Sequence, residues 1–168
     1  MDLLVFANGA AQWGALHFRC ALGRSGVRSK KREGDGATPE GIFCLRRVLY
    51  RSDRMKKPET LLPISAIRPE DGWCNAPEHI HYNRPVTFPF EASAEHLWRE
   101  DSLYDLLLIP GFNDAPPKSD KGSAIFVHVA ETNYGQTEGC IAFALKDLQT
   151  ILRNADAGAS LRIYSEAT

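Results

Sequence analysis

Short apolar segments separated by turn-forming residues run along most of this chain, and that pattern predicts strands. The first two are predicted at Leu3 to Ala7 and Gly14 to Leu22. They flank Asn8-Gly9, a pair that supplies the positive φ angles of a tight hairpin. Further strands are predicted at residues 42–51, 104–109, 123–130 and 161–164. Most of the chain is therefore expected to be β.

Helical periodicity is confined to two short stretches. One helix is predicted from about residue 144, because apolar residues recur there at helical spacing: Leu145, Leu148, Ile151 and Leu152. A shorter amphipathic turn is predicted at residues 93–99, with Ser93 as its cap. Helices are thus expected to be few and short.

Two long segments are expected to be irregular. Gly23 to Gly41 is rich in glycine, and Ser52 to Phe90 holds six prolines and allows only short strands. Together these patterns predict a mainly β (α+β) fold, a β-sandwich or open barrel with a few short helices. A length of 168 residues suits one domain, predicted to span residues 1–168.

Charge and composition narrow the classes of partner. The chain has 20 Lys and Arg against 21 Asp and Glu, a net charge of −1, so it carries no overall positive field for nucleic acid or an anionic membrane. A hydrophobic fraction of 43% is ordinary for a globular protein. We therefore predict neither nucleic acid nor a membrane as a partner, and the sequence leaves the oligomeric state open.

The cysteines give little sign of a structural metal or of disulfides. Cys20, Cys44, Cys74 and Cys140 include no C-x-x-C pair, which weakens a zinc interpretation, and Cys44 is expected to be the most buried of the first three. The N-terminus resembles neither a signal peptide nor a membrane span. If Met1 is the native start, a cytoplasmic protein with reduced thiols is expected. If a leader was removed, the periplasm is expected instead.

The candidate catalytic residues are a histidine and a cysteine at two neighbouring apolar segments. His128 ends a predicted strand, and Cys140 follows Gly139 after a polar linker. A thiol becomes a strong nucleophile when a nearby imidazole accepts its proton, so this pair could form an acyl-transfer centre. The predicted helix from about residue 144 would favour the thiolate through its N-terminal end. An alternative stays open: Cys140 could be a small buried hydrophobe and His128 an ordinary strand residue.

These residues resemble the L,D-transpeptidase (YkuD-type) catalytic domain family of bacterial peptidoglycan enzymes. The family's active-site signature is matched by His128, Thr137, Gly139, Cys140 and Ile141, and its upstream Thr-Pro-x-Gly-x-Phe element by Gly36 to Phe43. The resemblance implies peptidoglycan stem peptides or muropeptides as substrate, Cys140 as nucleophile and His128 as base. It also implies an oxyanion site near Gly139 and Cys140, and it implies no cofactor and no metal.

Three departures from the family pattern place the chain in a divergent branch. Glu138 stands where many members have histidine, Ala142 where many have arginine, and the loop from His128 to Cys140 is short. Arg84 is the predicted substitute for the missing cation, because a guanidinium can hold a carboxylate with two hydrogen bonds.

Other substrate-binding candidates come from the same irregular segment. Trp73 and Tyr82 could wall a peptide groove or, equally well, anchor the loop, and His81 is a further polar candidate. A metal at Glu78-His79-x-His81 is disfavoured, because three adjacent candidates have no distant fourth ligand.

The resemblance leaves the final product open. The acyl group could pass to an amine, as in an L,D-transpeptidase, or to water, as in an L,D-carboxypeptidase. Two further alternatives are a catalytically silent peptidoglycan-binding module and a thiol amidase that cuts another bond of the stem.

Overall fold

A computed structural model of the protein describes residues 1–29 and 31–167, and over these residues it contains fourteen strands and one helix. The strands of the first half are β1 (Leu3–Phe6), β2 (Ala10–Trp13), β3 (Leu16–Ala21), β4 (Val27–Arg28), β5 (Thr38–Pro39), β6 (Gly41–Tyr50) and β7 (Ile64–Ala66). The later elements are β8 (Asp71–Cys74), β9 (Pro85–Thr87), β10 (Ala94–His96), β11 (Leu106–Pro110), β12 (Val127–Val129), β13 (Ile141–Phe143), α1 (Leu145–Asn154) and β14 (Ser160–Tyr164).

The main sheet closes on itself. Its strand order is β11-β12-β13-β3-β2-β1-β14-β6-β7, and β6 also pairs with β11, so eight strands form a ring. Strand β7 pairs with the second half of β6, beyond the part that pairs with β14. The pairs β1–β14 and β12–β13 are parallel and most others are antiparallel. The mainly β prediction is confirmed, and the ring is more fully closed than the predicted sandwich or open barrel.

Helix α1 packs its apolar face onto the barrel core. Leu148, Ile151 and Leu152 are fully buried, as expected for residues three and four positions apart on one helix face. They join a cluster that includes Leu3 and Phe143 from the sheet. The prediction of a helix from about residue 144 is confirmed, since α1 begins at Leu145.

Local backbone geometry explains where strand predictions differ from the structure. The N-terminal region forms three strands instead of two, because Gly14, with φ +58°, makes a second tight turn between β2 and β3. Residues 94–96 form a strand paired with β8, so the predicted amphipathic turn at residues 93–99 is wrong. The strand predicted at residues 123–130 shortens to β12, because Ala124 has a left-handed backbone with φ +52°.

Strand β6 changes its core-facing side partway along its length. Phe43 and Leu45 pack towards the barrel core and the next core residue is Val48, because the pairing with β11 slips beside Arg46. A slip of one residue reverses the faces of a strand. Cys44 consequently lies on the outside and is exposed, whereas Cys20 and Cys74 are buried, so the prediction for Cys44 is wrong.

Candidate active site

The parallel pair β12–β13 places Cys140 and His128 on the same side of the sheet. His128 pairs with Ala142, and Cys140 lies two residues before Ala142, so its side chain points to the same face. Their strand neighbours Val127 and Ile141 face the opposite way and belong to the barrel core. Cys140 and His128 line one cavity of about 530 Å³.

The Cys140 thiol is held by two backbone groups. Its Sγ donates to the carbonyl oxygen of Ala124 at 3.2 Å and accepts from the N–H of Phe126 at 3.3 Å. Burial raises the pKa of the thiol to about 12, and the negative charge of Glu95 contributes in the same direction. The thiol is therefore protonated at neutral pH in the free protein.

The carbonyl that faces the thiol belongs to a residue with an uncommon backbone conformation. Ala124 has φ +52°. This left-handed conformation is energetically unfavourable for an L-residue, because its Cβ approaches the following carbonyl oxygen. Such outliers concentrate at functional sites, where surrounding structure maintains them. Here the conformation directs the Ala124 carbonyl to Sγ of Cys140.

His128 is fixed in one neutral tautomer. Its Nδ1–H donates to the carbonyl oxygen of Val129 at 2.8 Å, which leaves the lone pair of Nε2 available as a base. Burial lowers the pKa of the imidazole, and the nearby positive charge of Arg99 lowers it further. The ring also packs edge-on against Tyr104, with ring centroids 5.4 Å apart.

A tight turn of hydrogen-bonded residues precedes Cys140. The Thr137 hydroxyl donates to the Cys140 carbonyl at 2.6 Å and accepts from the Gly139 N–H at 3.1 Å. The Cys140 N–H has no acceptor among residues 1–29 and 31–167, so it is available for a substrate oxyanion.

The two family-like sequence elements contact each other at Gly139. This glycine has φ +131°, and a Cβ added to it would lie 2.6 Å from the Ala37 carbonyl oxygen and 3.0 Å from Ile125 Cδ1. Only glycine fits both the backbone angle and the space. The Gly36 to Phe43 element therefore supports the turn that carries Cys140.

Helix α1 does not assist the thiol as expected from the sequence. Strand β13 separates Cys140 from Leu145, the first helical residue. Four extended residues span about 13 Å, and the field of a helix end acts mainly within its terminal turn. The predicted stabilisation of a thiolate by the helix N-terminus is therefore wrong.

The cavity wall contains two cations that sequence reasoning did not select. Arg99 donates to both carboxylate oxygens of Asp101, at 2.8 and 2.6 Å, and Lys31 pairs with Asp35. The same wall also carries four glutamates: Glu33, Glu95, Glu131 and Glu138. Charges of both signs thus surround the thiol and the imidazole.

The four predicted substrate-binding residues lie outside this cavity. Arg84 and Trp73 line a separate cavity of about 180 Å³. Trp73 packs in the core against Phe126, and His81 is exposed beside His79. Tyr82 is buried behind the wall, where its hydroxyl donates to Glu33. None of the four lines the cavity that contains Cys140 and His128, and Trp73 belongs instead to the buried cluster behind it, which also includes Cys140.

Arg99 had a weak sequence signal. The departure at Ala142 implied that a cation had to come from elsewhere, but nothing in the pattern around Trp98 and Arg99 marked it. Long-range contacts bring this segment to the cavity: β10 pairs with β8, and the guanidinium of Arg51 donates to the Arg99 carbonyl oxygen at 2.6 Å.

The described residues contain neither a metal-binding cluster nor a membrane-spanning helix. Over the described part of the chain, no three His, Cys, Asp or Glu side chains lie close enough to hold a metal ion. No helix in residues 1–29 and 31–167 has the length and hydropathy to cross a membrane.

Comparison with known proteins identifies the family. Residues 2–163 match the family model of the L,D-transpeptidase catalytic domain, YkuD. The chain therefore belongs to the L,D-transpeptidase catalytic domain family, whose members act on peptidoglycan. No curated protein matches the sequence.

One solved structure is similar to this chain in fold. The helical cell shape determining protein Pgp2 from Campylobacter jejuni, in its K307A form, is similar over 99% of this chain, with a TM-score of 0.50 and 13% identity. Unmodified Pgp2 from the same organism is similar over 99% of this chain, with a TM-score of 0.40 and 12% identity. This chain spans about half of those proteins, 47% and 48% of their lengths.

Proposed function

We propose that this domain is a cysteine-dependent enzyme that cleaves the bond between diaminopimelate and the terminal D-alanine of peptidoglycan tetrapeptide stems. The observation that carries the proposal is the placement of Cys140 and His128 on one sheet face, in one cavity of about 530 Å³. Membership of the L,D-transpeptidase catalytic domain family supports the choice of substrate. All steps of the proposed chemistry use side chains and backbone groups of this chain.

The neutral state of both groups defines the first chemical step. Nε2 of His128 accepts the thiol proton as Sγ of Cys140 attacks the carbonyl carbon of the stem, because neither group is ionised beforehand. The thiol must first leave the Ala124 carbonyl, its hydrogen-bond acceptor in the free protein. The Cys140 N–H then stabilises the oxyanion of the tetrahedral intermediate.

The later steps form a thioester and then resolve it. His128 returns the proton to the amine of D-alanine, the C–N bond breaks and D-alanine leaves. His128 then removes a proton from the acceptor as it attacks the thioester, the C–S bond breaks, and His128 returns the proton to the sulfur of Cys140. An amine acceptor from a second stem gives a cross-link, and water gives a tripeptide. Transfer to water would suit muropeptides in the cytoplasm, and transfer to an amine would suit the periplasm.

Arg99 replaces Arg84 as the proposed substrate-binding cation. It lines the cavity, and its positive charge acts on both His128 and Cys140. Asp101 holds only the Nε and one terminal nitrogen of the guanidinium, so the other terminal nitrogen can donate to a stem carboxylate. Arg84, in contrast, lines a different cavity.

A peptidoglycan-binding module without turnover is the second candidate. It is favoured by one observation, the protonated thiol whose hydrogen bond to Ala124 competes with proton transfer to His128. The two candidates bind the same ligand and differ in whether a thioester forms.

Incubation of the protein with a disaccharide-tetrapeptide, followed by mass spectrometry, separates these functions. Loss of D-alanine indicates the carboxypeptidase and formation of dimers indicates the transpeptidase. Cleavage at another bond indicates a thiol amidase, and an unchanged ligand with measurable affinity indicates the binding module. Cys140→Ala is the matched control, and turnover by that variant would eliminate Cys140 as the nucleophile.

A further inference from the structure

A tyrosine and a glutamate that the proposed reaction does not use lie in the wall of the same cavity. Tyr104 is only 6% exposed, and its hydroxyl donates to the carboxylate of Glu95. Glu95 belongs to β10, in the three-stranded sheet outside the barrel, whereas Tyr104 precedes barrel strand β11. One hydrogen bond therefore connects the small sheet to the catalytic cavity.

The ring of Tyr104 is packed against the imidazole of His128. Their centroids lie 5.4 Å apart with an angle of 64° between the planes, an edge-to-face contact. Phe126 contacts the same tyrosine ring at 5.9 Å, and the guanidinium of Arg99 lies 5.0 Å from its centroid. Tyr104 is thus confined by neighbours from several elements.

Two contacts fix the orientation of the His128 ring. The hydrogen bond from Nδ1 to Val129 holds one edge, and the ring of Tyr104 limits rotation about the side-chain torsion angles. A general base must keep its lone pair within hydrogen-bond reach of the proton that it accepts. Movement of Tyr104 would therefore displace Nε2, the atom that takes the proton.

We propose that Tyr104 is a positioning residue for His128 and that Glu95 holds Tyr104 in place by accepting the hydrogen bond of its hydroxyl. The inference rests on the proposed function only in that His128 is the base. Tyr104→Phe keeps the ring and removes the O–H. Glu95→Ala removes the acceptor, and Glu95→Gln keeps an acceptor oxygen without the charge.

Steady-state kinetics with a tetrapeptide stem test this proposal. Tyr104→Phe and Glu95→Ala should lower kcat by about tenfold or more, because displacement of a catalytic group by a fraction of an ångström is costly, while KM changes less. Glu95→Gln keeps an acceptor for the Tyr104 hydroxyl, so it should retain a clearly higher kcat than Glu95→Ala, because the effect of the lost charge is common to both variants. Tyr164→Phe is the matched control, since Tyr164 lies on β14 and stacks on Phe6.

Nuclear magnetic resonance of the His128 ring provides a readout that does not depend on turnover. The ring signals should shift in Tyr104→Phe and Glu95→Ala and remain unchanged in Tyr164→Phe. Unchanged signals in both first variants would overturn the proposal, as would an equal loss of kcat in Glu95→Gln and Glu95→Ala. If no stem is turned over by the parent protein, the proposed function fails while the ring signals still test the positioning.

Discussion

At the scale of single residues, the Cys140 thiol and the His128 imidazole are both neutral in the free protein because they are buried. The raised pKa of Cys140 and the lowered pKa of His128 have the same main cause, the removal of water from the charged form. The charges around them modify this state. Glu95 opposes ionisation of the thiol, whereas Lys31 and Arg99 favour it. Substitution of a single charged residue in the wall should therefore change the reactivity of the thiol.

Glu95→Gln should lower the pKa of the Cys140 thiol, because it removes a negative charge that disfavours the thiolate. The measurement is the pH dependence of alkylation of Cys140 by iodoacetamide, located by mass spectrometry in a Cys44→Ser background that removes the exposed thiol. The rate profile should move to lower pH. Glu59→Gln, a change at an exposed glutamate, is the control, and an identical profile for all three proteins would contradict the prediction.

Arg99→Ala should weaken catalysis on stems that carry free carboxylates. Loss of a hydrogen bond to a charged group costs about 1.5–3 kcal/mol, so kcat/KM should fall by roughly tenfold to a hundredfold. Arg84→Ala provides the control, because Arg84 lines a different cavity and should leave kcat/KM unchanged. A larger effect of Arg84→Ala than of Arg99→Ala would restore the cation predicted from the sequence.

At the scale of elements, local patterns could be predicted and long-range register could not. The spacing of Leu148, Ile151 and Leu152 predicts α1 because a helix repeats its face within a few residues. The exposure of Cys44 depends on the slip between β6 and β11, whose partners lie about sixty residues apart in sequence. The same reason explains Arg99, whose backbone is held by Arg51, 48 residues away in sequence, a contact that no local pattern shows.

The turn that carries Cys140 should tolerate no side chain at Gly139. Gly139→Ala introduces a Cβ 2.6 Å from the Ala37 carbonyl at φ +131°, so the free energy of unfolding should fall by about 2 kcal/mol or more. Chemical denaturation measures the change. Gly26→Ala is the matched control, with φ +73° and no atom within 4 Å, and should cost only about 1 kcal/mol. Equal losses would show that contact with Ala37 is unimportant.

At the scale of the whole molecule, the two chain ends are joined by Asp2. Its carboxylate accepts from the N–H and hydroxyl of Ser160, at 3.0 and 2.8 Å, and from Nε of Arg162 at 2.6 Å. The hydroxyl of Ser160 is the main cause that lowers the pKa of Asp2 below 3.8. These contacts stabilise the parallel pairing of β1 with β14.

Asp2→Ala should lower the free energy of unfolding by about 1 kcal/mol at pH 7, since the contacts are partly exposed to solvent. Because the pKa is lowered in the folded state, this contribution is present above pH 3.8 and is lost as the pH falls through the folded value. Denaturation at pH 7 and pH 2.5 measures the difference. A loss that is the same at both pH values would contradict the assignment to the ionised carboxylate.

The pairing of β6 with β11 also affects how the domain meets other chains. An open sheet presents rows of unpaired N–H and C=O groups, and these are templates for aggregation. Closure of the ring pairs β6 with β11. The large sheet ends at β7, which has three residues. Growth of fibrils by edge-to-edge strand addition is therefore disfavoured at this sheet, and the open edges lie instead in the small sheet, at β9 and β10.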